Sequence, residues 1–398
     1  MLLTDAIVLV LAALVVTPSV LLLVECAAAV LHRIWSRGEI VELRDVTVPG
    51  VAYLVPAHNE GENLRPTLGD IGREMQSGHR LIVVADNCTD NTAEVATEFG
   101  AEVLRRKDET RWGKGYALAH GVDYLKDRPP RVVIIIDADC RIEPGFGRAI
   151  AEAAVSSGRP VQGRDLMKAR PDGPAMQSVA EFAWIIKNEV RPLGLAAMGM
   201  PCQLAGTGMA IPWEALMQIN LGSAALAEDL KLGADLALAG FPPLYLPGLA
   251  VTSTFPVTEQ ALLRQRQRWE IGSFAVLVRY ALPVLASALR RRDPQLVVLA
   301  LDLSVPPLMS YLAILIVLTL ATGAAMALGA GAGAFICAIA GLFAWTLSVL
   351  LSWLTYGRQV LPLAKWSAIA RFIIQKKGIY ALTRFGEKLK WHRTDRTP

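Results

Sequence analysis

Two runs of the chain, Ser304 to Ala327 and Ala332 to Gly357, carry no charged residue, and a third, Ala6 to Leu31, carries only Glu25. A helix crosses the hydrocarbon core of a bilayer with ~20 apolar residues at ~1.5 Å each, and all three runs exceed that length. Uncharged runs of this kind do not suit a soluble core, so the sequence predicts three spans. Composition agrees: of 398 residues, 53% are hydrophobic and 19% charged, and the apolar excess lies at the two ends. This excludes a plain cytosolic enzyme and a disordered or fibrous chain. No internal repeat is present. The net charge of +4, with no basic stripe, argues against nucleic acid as a partner.

The first run is too long for a signal peptide, and no Lys or Arg precedes it. Arg33 and Arg37 follow it, and a dense group of Lys and Arg follows Gly357, while the turn Leu328 to Gly331 is uncharged. The positive-inside rule then places the N-terminus outside and both the middle of the chain and its tail in the cytoplasm. Residues from about 33 to 295 form one cytosolic block, large enough for a single α/β domain. Glu25, near the cytoplasmic end of the first span, marks either an oligomer contact or a side chain reaching the interface. The five cysteines are dispersed, with no CxxC and no His at ligand spacing, so neither a zinc site nor a disulfide framework is expected.

Within the block, short apolar runs alternate with helical segments. Strands are expected at Val51–Pro56, Leu81–Ala85, Glu102–Leu104 and Val132–Ile136, with helices at Asn63–Met75, Thr92–Phe99 and Lys114–Leu125. Continuous apolar strands between helices mean a parallel sheet covered on both faces, which binds ligands at the carboxyl ends of its strands. Those ends are acidic: His58-Asn59-Glu60, Asp86 to Asp90, and Asp137-Ala138-Asp139. Isolated, an Asp-x-Asp is a common turn or cap. Three acidic ends on one sheet edge instead suit a hard divalent cation with spare positions for phosphate oxygens.

Three further motifs stand out. Arg111-Trp112-Gly113-Lys114-Gly115 opens a helix where flexible backbone, a lysine and the helix N-terminus together favour an anion. Ala227-Glu228-Asp229-Leu230 begins a helix through Leu238, where an acidic pair either complements the helix dipole or supplies a general base. Gln265-Arg266-Gln267-Arg268-Trp269 is either a basic interfacial face or an amide, a guanidinium for phosphate and an aromatic platform for a sugar. The stretch Ile271 to Leu289, stopped by three arginines, and Ile369 to Phe385 both read as interfacial amphipathic helices.

Taken together and in order, these motifs resemble the membrane-integrated family 2 glycosyltransferases with a GT-A fold. That group includes cellulose, hyaluronan and poly-N-acetylglucosamine synthases, ceramide glucosyltransferase and bacterial exopolysaccharide glycosyltransferases. The resemblance runs from about Val51 to Trp269. It implies an α/β fold: a Rossmann-like, mostly parallel cytosolic GT-A domain with about three transmembrane helices. The divisions are 1–32 for the first span, 33–270 for the GT-A domain, 271–303 for an interfacial region, 304–357 for two spans and 358–398 for a basic tail. By the same resemblance, Glu60 and Asp86 hold the nucleotide, Lys114 lies near the diphosphate, and Asp137 contacts the nucleotide-sugar. Asp139 ligates Mg²⁺ or Mn²⁺. Asp229 is the general base with Glu228 beside it, Gln265 and Arg268 face acceptor and diphosphate, and Trp269 floors the acceptor site. The family often has Thr before the Glu-Asp pair, whereas this chain has Ala227.

The implied reaction is one inverting displacement from a nucleotide-sugar, a UDP-sugar in the first place, to a hydroxyl of a lipid-linked or polymeric saccharide at the membrane surface. A bacterial plasma membrane with a cytoplasmic catalytic domain is the implied location. The alternatives are a processive synthase that exports its polymer and a non-catalytic membrane subunit. Three spans are too few for a polysaccharide channel unless the chain is a homo-oligomer, which favours limited transfer.

Overall fold

The computed structural model describes residues 2–36, 48–223 and 225–366. The expected helix Ile369 to Phe385 and most of the basic tail lie outside these residues. The first element is the long helix α1 (Leu2–Trp35). The catalytic block then alternates β1 (Val51–Ala57), α2 (Leu64–Glu74), β2 (Arg80–Asp86), α3 (Thr92–Glu98), β3 (Glu102–Arg106), α4 (Lys114–Leu125) and β4 (Val132–Ile135). It continues through β5 (Arg141–Ile142), α5 (Phe146–Ser157), β6 (Val161–Lys168), α6 (Ala175–Ile185), α7 (Arg191–Ala197), β7 (Met209–Pro212), α8 (Trp213–Leu216), α9 (Glu228–Leu238) and β8 (Leu244–Thr254). Four helices follow: α10 (Glu259–Arg291), α11 (Pro294–Leu303), α12 (Leu308–Ala327) and α13 (Gly333–Ser352).

The strands form one sheet in the order β3-β2-β1-β4-β7-β6-β8-β5. The first four are parallel, as the apolar runs of β1, β2 and β4 predict. β7 enters antiparallel between β4 and β6, while β6 and β8 pair in parallel. Neither β6 nor β8 was expected, because their sequences mix polar and apolar residues and lack the continuous apolar runs of β1 and β4. One apolar layer lies under α2, α3 and α5, and a second lies under α4, α8 and α9. Both are necessary, because a parallel sheet is apolar on both faces.

Among the described residues, four helices are able by length and composition to cross a membrane: Asp5–Trp35, Gln260–Arg291, Leu308–Ala327 and Gly333–Gly357. Three coincide with the predicted spans. The expected start at Ser304 moves to Leu308 because Ser304 caps α11 and two prolines follow it. The fourth, α10, runs unbroken through residue 270, where the sequence divides the domain from an interfacial region. One side of α10 packs on α9 and α11 through Val276, Val284 and Ala288, and its Arg291 donates to the Leu238 carbonyl at the end of α9. Val278, Leu282 and Leu289 are left exposed.

α1 and α13 run side by side in the same direction. Asp5 accepts from the Gly331 N–H before α13, Gly341 fits against Val16, and the Arg33 guanidinium lies 4.6 Å from the Tyr356 ring centre. Glu25 is fully buried and ion-paired to Arg191 of α7 at 2.7 Å. Arg191 also pairs with Asp302 of α11, and Gln203 donates to the same carboxylate at 2.9 Å. Glu25 therefore finds its partner within the chain, and it does so where Gly194 of α7 packs directly on the backbone of α1.

Candidate active site

β1, β2 and β4 are parallel neighbours, so the segments following them lie on one edge of the sheet. Asn59 and Asn87, directly after β1 and β2, take the left-handed conformation that Asn tolerates better than most residues. The Asn59 side-chain carbonyl accepts from the Thr89 N–H at 2.7 Å, and that of Asn87 accepts from the Asp108 N–H at 2.8 Å. These bonds tie the strand-end loops together. The Asp-Ala-Asp turn after β4 is held from two sides. The Thr67 hydroxyl lies within 2.8 Å of the Ala138 and Cys140 carbonyls, and the Asp137 N–H donates to the Thr207 hydroxyl at 3.0 Å.

Lys114, the first residue of α4, is the hub of the site. Its ammonium pairs with Asp137 and donates to the Gly206 carbonyl at 2.6 Å. Gly206 has φ +97°, and a Cβ placed there would lie 3.4 Å from an Asp229 carboxylate oxygen. Lys114, Gly206, Ser223, Glu228 and Asp229 line one cleft of about 350 Å³, open mouth included. Burial works against the Lys114 charge, but Asp137, Glu228 and Asp229 outweigh it and raise its pKa. Burial and then Asp229 push the Glu228 carboxyl up to about 7, against the opposing pull of Lys114 and Arg268. Neither acid of the α9 pair is the helix cap, which is Ala227 and makes no side-chain cap bond.

The sequence assigns both glycines around Lys114 to anion approach. The structure gives Gly115 a different role. A Cβ there would stand 2.6 Å from the Ser223 carbonyl, so only glycine lets the loop at 221–223 rest on α4. Asp86 is buried and paired with Arg106 at 2.5 Å, and the His58 ring nitrogen Nδ1 lies 2.6 Å from its backbone carbonyl. Burial still raises the Asp86 pKa despite Arg106. Glu60 begins the turn before α2, its N–H donating to the Thr92 hydroxyl at 2.9 Å. Asp139 is half-buried beside the Cys140 thiol at 3.7 Å. Among the described residues, no three His, Cys, Asp or Glu side chains are grouped to hold a metal. Asp139 and its neighbour Asp137 thus fit a hard cation only if a diphosphate supplies further oxygens.

Gln265, Arg268 and Trp269 lie on α10, which reaches the site through Gly272: a Cβ there would be 2.8 Å from Ala227, immediately before Glu228. The Arg268 charge lowers the Glu228 pKa. Gln265 is buried, and its Oε1 has no hydrogen-bond partner among the described residues. Trp269 meets Trp184 of α6 with ring centres 4.7 Å apart, and both line a second cavity of about 1070 Å³, open mouth included, towards α1 and α12.

Several residues at the site were not anticipated. Arg106 is directly opposite Asp86 in the β2–β3 register, which a sequence does not display. Thr67 and Thr207 carry no signature beyond a hydroxyl. Asp165 of β6 is buried, and desolvation, with Asp137 nearby, raises its pKa well above the usual carboxylate range. Its backbone carbonyl accepts from the Trp184 indole at 3.1 Å.

A mostly parallel sheet with helices on both faces, acidic strand ends, Lys114 at the start of α4 and a carboxylate pair at the start of α9 has the GT-A fold. Residues 49–272, more than half of the chain, match the family model described as Glycosyltransferase like family 2; the chain belongs to that family and is a glycosyltransferase. A poly-beta-1,6-N-acetyl-D-glucosamine synthase of Staphylococcus epidermidis is 25% identical over 250 residues, covering 62% of this chain and 60% of that protein. The enzyme of the same name from Staphylococcus aureus is 23% identical over 239 residues, 58% of this chain and 56% of its own. The chain thus spans about three fifths of the length of the curated relatives it matches. Among solved structures, a mannosyltransferase of Pyrobaculum calidifontis in complex with GDP-Man and Mn²⁺ is similar at 18% identity and a TM-score of 0.45. That match covers 86% of this chain and 99% of that one.

Proposed function

We propose that the enzyme transfers a sugar from a nucleotide-diphosphate sugar, a UDP-sugar first among them, to a hydroxyl of a membrane-associated saccharide, inverting the anomeric carbon. The observation that carries this reading is that Lys114, ion-paired to Asp137 at the carboxyl edge of the sheet, shares one cleft with Glu228 and Asp229. Glu60 and Asp86 face the nucleoside. Lys114 and Arg268 place positive charge where the departing diphosphate gains negative charge. A divalent cation, Mg²⁺ or Mn²⁺, held by Asp139 would add Lewis-acid stabilisation of that leaving group. Asp229 accepts the proton of the acceptor hydroxyl as its oxygen attacks C1 from the face opposite the diphosphate. Gln265 and Trp269 position the acceptor. No covalent enzyme intermediate is required.

The reading extends to location. Arg33 and Arg358 both lie at one end of the α1–α13 pair, each over an aromatic ring of residues 353–356, and Asp5 lies at the other end. This supports an outside N-terminus and a cytoplasmic catalytic domain. The packing of α10 along α9 supports an interfacial rather than a spanning helix, with Val278, Leu282 and Leu289 towards lipid.

A processive synthase is the second reading, favoured by the names of the relatives. Both are tested on the full chain in detergent with a panel of sugar nucleotides, measuring nucleotide release with Mg²⁺, Mn²⁺ or chelator, then sizing the labelled product. Donor-dependent release that chelator abolishes, with short products, supports limited transfer. A ladder to high polymer from a demonstrated monomer promotes the synthase, and no release from any donor overturns both.

A further inference from the structure

The larger cavity lies between α9, which carries the acidic pair, and the candidate spans. Leu230, next to Asp229 in the chain, lines it together with Trp184 and Trp269. Its outer wall is apolar and comes from Leu22 of α1, Val276 of α10, and Leu308 and Met309 of α12. At this level α10 is linked to α12 by a hydrogen bond from Ser310 to Glu270 at 3.1 Å.

Three cations face the cavity. Arg191 is committed to Glu25 and Asp302, and Arg266 lies 3.7 Å from Glu270. Lys187 differs. It is half-buried, its ammonium stands 5.5 Å from the Trp184 ring centre, and among the described residues it forms no ion pair. It acts on the buried Asp165 only through its field. A cation with no carboxylate at salt-bridge distance among the described residues, beside two indoles and an apolar wall, matches a ligand with an anion, a sugar and a hydrocarbon chain in that order.

We propose that this cavity binds the acceptor as a lipid-phosphate-linked saccharide. The phosphate meets Lys187, the sugar lies on Trp184 and Trp269 with a hydroxyl towards Asp229, and the lipid chain leaves between α1, α10 and α12. The proposal rests on the reading of the acceptor as membrane-associated and names its chemistry. The same charge would suit a uronate on a polymer end. The lipid is favoured because the outer wall is apolar and is built by helices long enough to cross a membrane, whereas a glycan chain needs polar partners along its length.

The test is a tryptophan-fluorescence titration of the full chain in nanodiscs of neutral lipid, with farnesyl phosphate, farnesol, inorganic phosphate and an oligoglucuronate. Farnesyl phosphate is expected to quench saturably, with farnesol at least ten-fold weaker and the other two silent. Lys187→Gln should weaken farnesyl phosphate about ten-fold without changing farnesol, as expected for one charge-assisted contact, and Lys187→Arg should restore it. UDP binding, measured in each variant, shows that the variant is folded. Equal affinity for farnesol and farnesyl phosphate, indifference to Lys187→Gln, or saturable binding of the oligoglucuronate alone would overturn the proposal. This assay is independent of turnover, so failure of the nucleotide-release panel removes the transferase reading without deciding the lipid site, and the reverse also holds.

Discussion

At the scale of single residues, Glu228 and Asp229 share one helical turn, and Glu228 is the acid that burial and its neighbour push up. An acid whose folded pKa lies above its ordinary 4.5 destabilises the fold once ionised, so stability from this group is lost as pH rises from about 4.5 to about 7. Glu228→Gln removes that loss. The melting temperature of the variant minus that of the wild type should therefore climb across this window and level off above it; a flat difference would show that Glu228 ionises normally. Asp229 carries the chemistry in the proposed mechanism. Asp229→Asn should reduce turnover by ~10²-fold or more while leaving donor affinity nearly unchanged. A variant that lost nucleotide binding but kept its chemistry would make Asp229 a structural residue. Both acids were legible in the sequence as a pair at a helix start. Their convergence with Lys114 and Gly206, and the Arg106 partner of Asp86, were not, because these contacts join residues brought together only by strand register and loop closure.

At the scale of elements, α10 holds the active site and the membrane side together. Its first turns carry Gln265, Arg268 and Trp269, and its middle lies on α9 because Gly272 has no side chain. A methyl group at that position meets the Ala227 backbone nitrogen and Cβ at 2.8 Å. Gly272→Ala should destabilise by about 1–3 kcal/mol through overpacking. Its effect on turnover should exceed its effect on melting, because the shift moves Arg268 away from Glu228. Equal activity per folded molecule would show that α10 is not a positioning element. The strands show a similar division. β1, β2 and β4 were readable as buried parallel strands from their apolar runs, and β3 only as a short strand beside them. β6 and β8 were hidden by their polar positions; in β6 these are Gln162, Arg164 and Asp165, which bond to the loop at 205–207 and to Asn188 and Glu189.

At the scale of the whole molecule, the buried Glu25–Arg191–Asp302 cluster fastens α1 to the catalytic domain. Removing its one cation leaves two buried carboxylates unpaired. Arg191→Met should cost about 3–5 kcal/mol, read as a lower melting temperature in detergent. Combining it with Glu25→Gln and Asp302→Asn should recover much of that loss, because no buried charge is then left without a partner. If the triple variant were no more stable than Arg191→Met, the cluster would owe its worth to shape rather than charge. The sequence marked Glu25 as an unusual intramembrane acid but gave no partner, since Arg191 is far away along the chain and looks like any surface arginine.

What the sequence determined by itself is what local chemistry dictates: where uncharged runs must leave water, which strands are buried on both faces, and which acids follow them. These follow from side-chain solubility and spacing along the chain. The tertiary structure decided what depends on separation in space. It reversed β7 within the sheet, paired Lys114 with Asp137, laid α10 along α9 and opened a cavity between Trp269 and the candidate spans. Each of these rests on contacts between segments distant in sequence, whose energies arise only once packing and burial bring them together.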